Sequence, residues 1–145
     1  MVDIRKELEE KGIYASKTMG NSMQPMLVQG RDTVIIKKPE FPLKKFDIPV
    51  YVRKNHYTMH RIVKVTSSGY VICGDNRPDK EYDITDKDIV GVLAGFYQGD
   101  KYIEAGSEED LQYAKRACRT YPKRAFRHFL FKAKRKLKRM FKKSK

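Results

Sequence analysis

At 145 residues the chain has room for one ordinary domain and an appendage, and 40% hydrophobic and 11% aromatic content suffices for a packed core without a wide margin. The formal net charge of +14 is uneven: 15 of the 32 Lys and Arg fall between Leu111 and Lys145, which holds no acid, leaving 17 basic against 18 acidic residues before it. A near-neutral domain therefore carries an intensely basic tail. No window approaches the ~18 uncharged apolar residues of a membrane span, and Met1 to Leu8 lacks the apolar stretch of a signal peptide, so a spanning or secreted chain is not expected. The two cysteines, Cys73 and Cys118, read as free thiols in a reducing compartment. The expectation is a cytoplasmic protein, peripheral on the inner face of the membrane.

In chain order, Ile4 to Lys11 reads as a short amphipathic helix ended by Gly12. Thr33–Lys37 and Val50–Arg53 are strand candidates, with Pro39, Pro42 and Pro49 confining the connection between them. Tyr57 to Thr66 gives the longest strand signal, and Ser67-Ser68-Gly69 turns it into Tyr70–Cys73 as a hairpin. Ile89 to Tyr97 is a further strand, returned by Gln98-Gly99-Asp100 into Lys101–Ile103. Five or six short strands in about 75 residues predict a mainly β, barrel-like domain over residues 1–106.

Residues 107–145 then change period. Ser107-Glu108-Glu109-Asp110 carries the Ser-x-x-Asp pattern of a helix N-terminus, with acids where the dipole favours them. A first helix is expected to stop before Pro122, and a second to begin near Lys123. In the second, Phe126, Leu130, Ala133, Leu137 and Met140 step by 4, 3, 4 and 3 and form one apolar stripe among cations. Residues 123–143 are thus expected to contact an anionic membrane surface, with nucleic acid the rival polyanion.

Three segments carry candidate chemistry. Gly20-Asn21-Ser22-Met23-Gln24-Pro25 is a polar, uncharged loop that could present Ser22 to a cleft, although a serine beside Gly and Asn is ordinarily a turn residue. In the Tyr57–Thr66 segment, period-two alternation puts Thr58, His60, Ile62 and Lys64 on one face. A serine hydroxyl needs a base to take its proton, and the imidazole of His60 suits that task near neutral pH. Gly74-Asp75-Asn76-Arg77 follows the strand that pairs with the His60 strand, so Asp75 returns near that strand's start and could orient His60. An Asp-Asn turn without chemistry is the plain alternative. His56, His60, His128 and two distant cysteines offer no metal-ligand spacing, and no cofactor is expected.

Together these segments resemble a known family. Ser22-Met23-Gln24-Pro25 is similar to the Ser-Met-x-Pro nucleophile box of type I signal peptidases, and Gly74-Asp75-Asn76-Arg77 to their Gly-Asp-Asn-Arg box. Asp88-Ile89-Val90-Gly91 resembles the segment that closes the domain, so the likeness runs from Ser16 to Tyr97. It implies the β-rich peptidase fold that signal peptidases share with LexA-type repressor peptidases, here as a soluble form without a transmembrane anchor. It implies a serine endopeptidase acting on a peptide or protein in leader-type processing. His60 before Arg61-Ile62-Val63 resembles the Ser–His type of the endoplasmic reticulum and archaea, whereas the Gly-Asp-Asn-Arg box is closer to the bacterial Ser–Lys type; Lys64 is the fallback base. Asp79 and Asp83 are substitutes for Asp75, because the spacing after the box matches no single family pattern. Gly20 stands where LexA-like peptidases also have Gly, which implies an oxyanion hole made by the backbone N–H groups of Asn21 and Ser22. The alternatives are a repressor-type regulator or an inactive module that binds nucleic acid through the tail; only some 15 residues precede the β region, too few for a helix-turn-helix.

Overall fold

The computed structural model describes residues 2–144. It is β-rich, with a short helix at one end of the chain and a long one at the other. Helix α1 (Ile4–Lys11) is followed by β1 (Ile13–Lys17), β2 (Thr33–Lys37), β3 (Pro49–Arg53), β4 (His56–Met59), β5 (Arg61–Val65), β6 (Tyr70–Cys73), β7 (Lys80–Ile84), β8 (Ile89–Gln98), β9 (Lys101–Glu104) and α2 (Glu108–Lys143). Asp3 caps α1 by accepting from the Arg5 and Lys6 N–H groups. Gly12 ends it at φ 76°, a left-handed position, with its N–H on the Leu8 carbonyl. Ile4 and Leu8 face the core.

All strand pairs are antiparallel. One sheet runs β1-β2-β8-β3-β4, with β9 also on β8; the other runs β5-β6-β7. The long β8 organises the first sheet: β2 lies along one edge, while β3 and β9 divide the other. Two apolar cores result. The larger joins α1, β2, β8 and the loop residues Met23, Met26 and Leu27. The smaller packs Tyr51 of β3 against Ile62, Tyr70, Ile72 and Ile84 of the second sheet.

The expected strand from Tyr57 to Thr66 is in fact two. β4 pairs with β3 in the first sheet and β5 pairs with β6 in the second, so the chain changes sheets at His60. A residue at such a crossing sits between both layers. β1 and β7 were not anticipated. Ile13-Tyr14-Ala15-Ser16-Lys17 and Lys80-Glu81-Tyr82-Asp83-Ile84 have little β-branched content, and pairing to β2 and β6 makes them strands.

Helix α2 also departs from expectation, because it does not stop before Pro122. Proline removes the donor to the carbonyl four residues back and favours a break. In this turn Thr120 Oγ1 donates to the carbonyls of Arg116 (3.0 Å) and Ala117 (3.2 Å), and Arg124 Nη1 donates to that of Ala117 (2.7 Å). The carbonyl that the proline leaves without its helical donor is that of Cys118; these side-chain bonds brace the turn just before it and do not replace the missing donor.

Arg61, with no exposed surface, ties the layers together. Nε and Nη2 form a two-pronged pair with Asp75 (2.9 and 3.0 Å). Nη1 donates to the Phe46 carbonyl (3.2 Å) and to Asp110 of α2 (3.3 Å), and Nη2 also meets Met26 Sδ (3.1 Å). All five N–H groups are thereby used. Burial works against the charge, but the two carboxylates outweigh it and hold the guanidinium above its ordinary pKa. Removing one partner leaves a buried charge under-compensated. Asp110→Ala should therefore cost about 3–5 kcal/mol in denaturant unfolding. Glu109→Ala, which breaks the exposed pair with Lys101, should cost less than ~1 kcal/mol. Equal losses from the two would show that Arg61 does not need Asp110.

Candidate active site

The loop between β1 and β2 carries Ser22. Its base is closed by Thr18, whose N–H donates to the Asp32 carbonyl (3.0 Å) and whose Oγ1 donates to the Val28 carbonyl (2.8 Å). Buried Asp32 accepts from Val28 N–H (2.8 Å), from Arg31, and from Gly99 N–H in the β8–β9 turn (3.3 Å). The Arg31 hydrogen bond, opposed by burial, holds the Asp32 carboxyl below its ordinary pKa. Met23, Met26 and Leu27 anchor the far side of the loop in the core. Gly20 at φ 77° makes the sharp turn before Ser22, with its N–H on Gln29 Oε1 (3.1 Å).

The loop after β6 is fastened to this one. Asn76 N–H donates to the Ser22 carbonyl (2.8 Å) and Asn76 Nδ2 to the Asn21 carbonyl (3.2 Å). A side chain on Gly74 would begin 2.8 Å from the Ser22 carbonyl oxygen and 3.1 Å from Cδ2 of the His60 ring. The Ser22 backbone carbonyl, the His60 ring and the Gly74–Arg77 turn thus meet around Gly74, where glycine leaves room for them; among the described residues no hydrogen bond joins the Ser22 hydroxyl to His60. Among the described residues, no acceptor takes the Asn21 or Ser22 N–H groups.

Asp75 does not orient His60. Its carboxylate is spent on Arg61, and register explains why. Arg61 faces Cys73 and Ile62 faces Ile72 across the hairpin, so Arg61, Cys73 and Asp75 point to one side of the sheet. His60, two residues before Ile62, points to the other. There Glu81 lies opposite Ile72. His60 Nδ1 stands 3.2 Å from Glu81 Oε1 and 3.0 Å from the Tyr51 hydroxyl, which itself donates to Glu81 Oε1 (2.6 Å). Arg53 Nη1 is 2.9 Å from Glu81 Oε2 as an ion-pair partner, off the line of a hydrogen bond. Glu81 is the carboxylate that sequence reasoning missed. Neither Asp79 nor Asp83 reaches His60; both are exposed.

Lys64 is excluded by a bulge. Val63 is the unpaired residue, and Lys64 pairs with Val71 rather than continuing the alternation. The extra residue reverses its face, so Lys64 and His60 point opposite ways. Lys64 is exposed and borders a separate cavity with Cys73, Cys118 and Tyr121.

His60 is largely buried, and burial is the main reason its pKa falls below the ordinary histidine value. Glu81 opposes that shift through its charge and hydrogen bond, and the Arg77 charge adds to it. The neutral ring with its proton on Nδ1, facing Glu81, leaves Nε2 as an acceptor. Beside Ser22 opens a groove of about 520 Å³, largely apolar, whose walls include Ser16, Met19 and Met23 on one side and Tyr57 and Met59 on the other. Among the described residues no three His, Cys, Asp or Glu side chains converge as a metal site requires.

The chain matches no protein-family model and no curated protein sequence.

An NMR pH titration of His60 checks the electrostatic account. Its midpoint should lie below ~6.5. Since Glu81 raises the pKa, Glu81→Gln should lower the midpoint further, while Asp75→Asn, whose charge weighs least, should move it much less. A larger shift from Asp75→Asn would return the orienting role to Asp75.

Proposed function

We propose that the chain is a serine endopeptidase of the signal-peptidase-like kind, with Ser22 as nucleophile, His60 as general base and Glu81, held by Tyr51, as the group that positions His60. The observation that carries this reading is the convergence at Gly74. His60 offers one ring edge toward the Ser22 loop and fixes its other nitrogen on Glu81. A base gripped on Nδ1 by a carboxylate and lying beside a serine loop is an arrangement that can activate a hydroxyl.

The reaction follows from those positions. Ser22 Oγ attacks the scissile carbonyl carbon as His60 Nε2 takes the hydroxyl proton, and the tetrahedral oxyanion is met by the Asn21 and Ser22 N–H groups. Collapse breaks the C–N bond, and His60 returns its proton to the leaving amine. Water then attacks the acyl-enzyme with His60 again the base, releasing the acid and restoring Ser22. Through each proton transfer Glu81 keeps the ring in one tautomer and stabilises its charged form. The depressed His60 pKa keeps the base unprotonated at neutral pH.

A peptide is the substrate class that the groove suits. β1 is an edge strand, so its free backbone groups can pair with an extended chain laid along the apolar groove that Ser22 helps to line. The β-rich architecture is compatible with the peptidase domain implied by the two sequence boxes.

The test is cleavage of candidate leader-bearing peptides followed by mass spectrometry. Ser22→Ala should reduce turnover by about 10³-fold or more with the fold intact. The wild-type rate should be low when His60 is protonated and rise with pH through a value below ~6.5. Glu81→Gln should lower it by about two to four orders of magnitude and move the acid limb to lower pH, while Lys64→Ala keeps it. Equal turnover by wild type and Ser22→Ala would sink the peptidase reading.

A further inference from the structure

No helix among the described residues is long and apolar enough to cross a membrane. Yet α2 exposes large apolar side chains in one region: Phe126 is 62% exposed, Phe129 65%, Leu137 55%, Met140 60% and Phe141 72%. Single exposed apolar residues are normal, but a contiguous set rimmed by charge marks an interaction surface. At 100° per residue, Phe126, Phe129, Leu130, Leu137, Met140 and Phe141 all fall within about 60° of one line. The cations from Lys132 to Lys143 occupy the rest of the circumference together with Phe131, 56% exposed and about 140° from the line.

The first half of the same helix is used differently. Asp110 and Ala114 are buried and Ala117 and Tyr121 half-buried against the domain, with Asp110 locked on Arg61. On the helical wheel these four lie about 120–180° from the apolar line. The residues of the first half that continue that line, Lys115 and Arg119, are exposed and charged. Because the helix is unbroken at Pro122, the docked side and the stripe belong to opposite faces of one rod. The stripe therefore cannot fold back onto the domain without breaking the helix or the Arg61–Asp110 pair.

We infer that residues 123–143 of α2 lie in the surface of an anionic lipid bilayer, stripe inward, with the β-rich domain held on the aqueous side. Charge complementarity selects this occupant. The segment has no acid to repel a negative surface, and its cations sit on the flanks where head groups lie. A nucleic-acid backbone satisfies the cations equally, but it gives the phenylalanines nothing. A second copy would cover them only by pressing two cationic rims together. The inference does not draw on the Ser22–His60 geometry and stands apart from it.

The experiment is co-sedimentation of the full chain with phosphatidylcholine vesicles, either pure or with ~30% phosphatidylglycerol, at low and moderate salt. Partners are the parent and a Phe126→Gln, Leu130→Gln, Leu137→Gln variant. Gln keeps helix propensity, and all three positions are exposed, so circular dichroism and the thermal melt should match the parent. The parent should pellet with anionic vesicles and not with neutral ones, and salt should weaken the binding. The variant should bind anionic vesicles about tenfold less or weaker still. If the variant binds as well as the parent, or neither binds lipid while both bind duplex DNA, the inference is overturned. A stripe-dependent dimer in light scattering, with no lipid binding, would likewise assign the face to a second copy.

Discussion

A guanidinium with no exposed surface must find a partner for every N–H it carries, and the positions of those partners fix much of this molecule. Arg61 draws on Asp75 in the turn after β6, on Asp110 at the start of α2, on the Phe46 carbonyl before β3 and on Met26 in the Ser22 loop. No two of these segments are neighbours in sequence. A fully apolar substitute of similar volume could match or exceed the cluster in stability, since desolvating ions is costly. Directional bonds supply what apolar packing lacks: one register for the hairpin, one seat for the helix and one position for the loop.

The candidate chemistry depends on that constraint at one remove. Arg61 and His60 are consecutive residues at the point where the chain changes sheets, so their side chains leave on opposite sides. Fixing Arg61 therefore fixes the ring beside it. The two carboxylates follow the same division, Asp75 to the cation that holds the scaffold and Glu81 to the imidazole that would move a proton. Asp75 thus holds the scaffold without touching the ring, and Glu81 reaches the ring from a strand with little sequence signature. The Ser22 loop joins the two halves, with its carbonyl bonded to Asn76 and its methionines in the larger core.

Helix α2 is a single element with two differently used faces. Its first half is amphipathic toward the protein, through Asp110 and Ala114; its second is amphipathic in the opposite sense, through the exposed phenylalanines. Continuity through Pro122 couples the two. The orientation of the apolar stripe relative to the domain is set by helical phase and not by a flexible tether.

Local features of the sequence determined α1 with its Asp3 and Gly12 ends, the strands rich in β-branched residues, the Ser107 helix start and the apolar stripe, because each rests on near-neighbour geometry. The candidates Ser22 and His60 stand out in the sequence through residue types that a hydroxyl nucleophile needs and the order of two short boxes; the structure places their segments side by side, and their catalytic role is a proposal. What tertiary structure alone decided was pairing. Asp75 in the turn after β6 and Glu81 on β7 are both carboxylates close to His60 in sequence order, and only cross-strand register tells which shares a face with the ring. A bulge at Val63 reversed Lys64, and nothing in Arg61-Ile62-Val63-Lys64-Val65 announces an extra residue. β1 and β7 are strands because β2 and β6 offer them hydrogen bonds, and α2 runs on through Pro122 although proline by itself favours a break there. Propensity and period are properties of a segment; register, bulges and buried charge pairs are properties of two segments meeting, and one strand of text does not contain them.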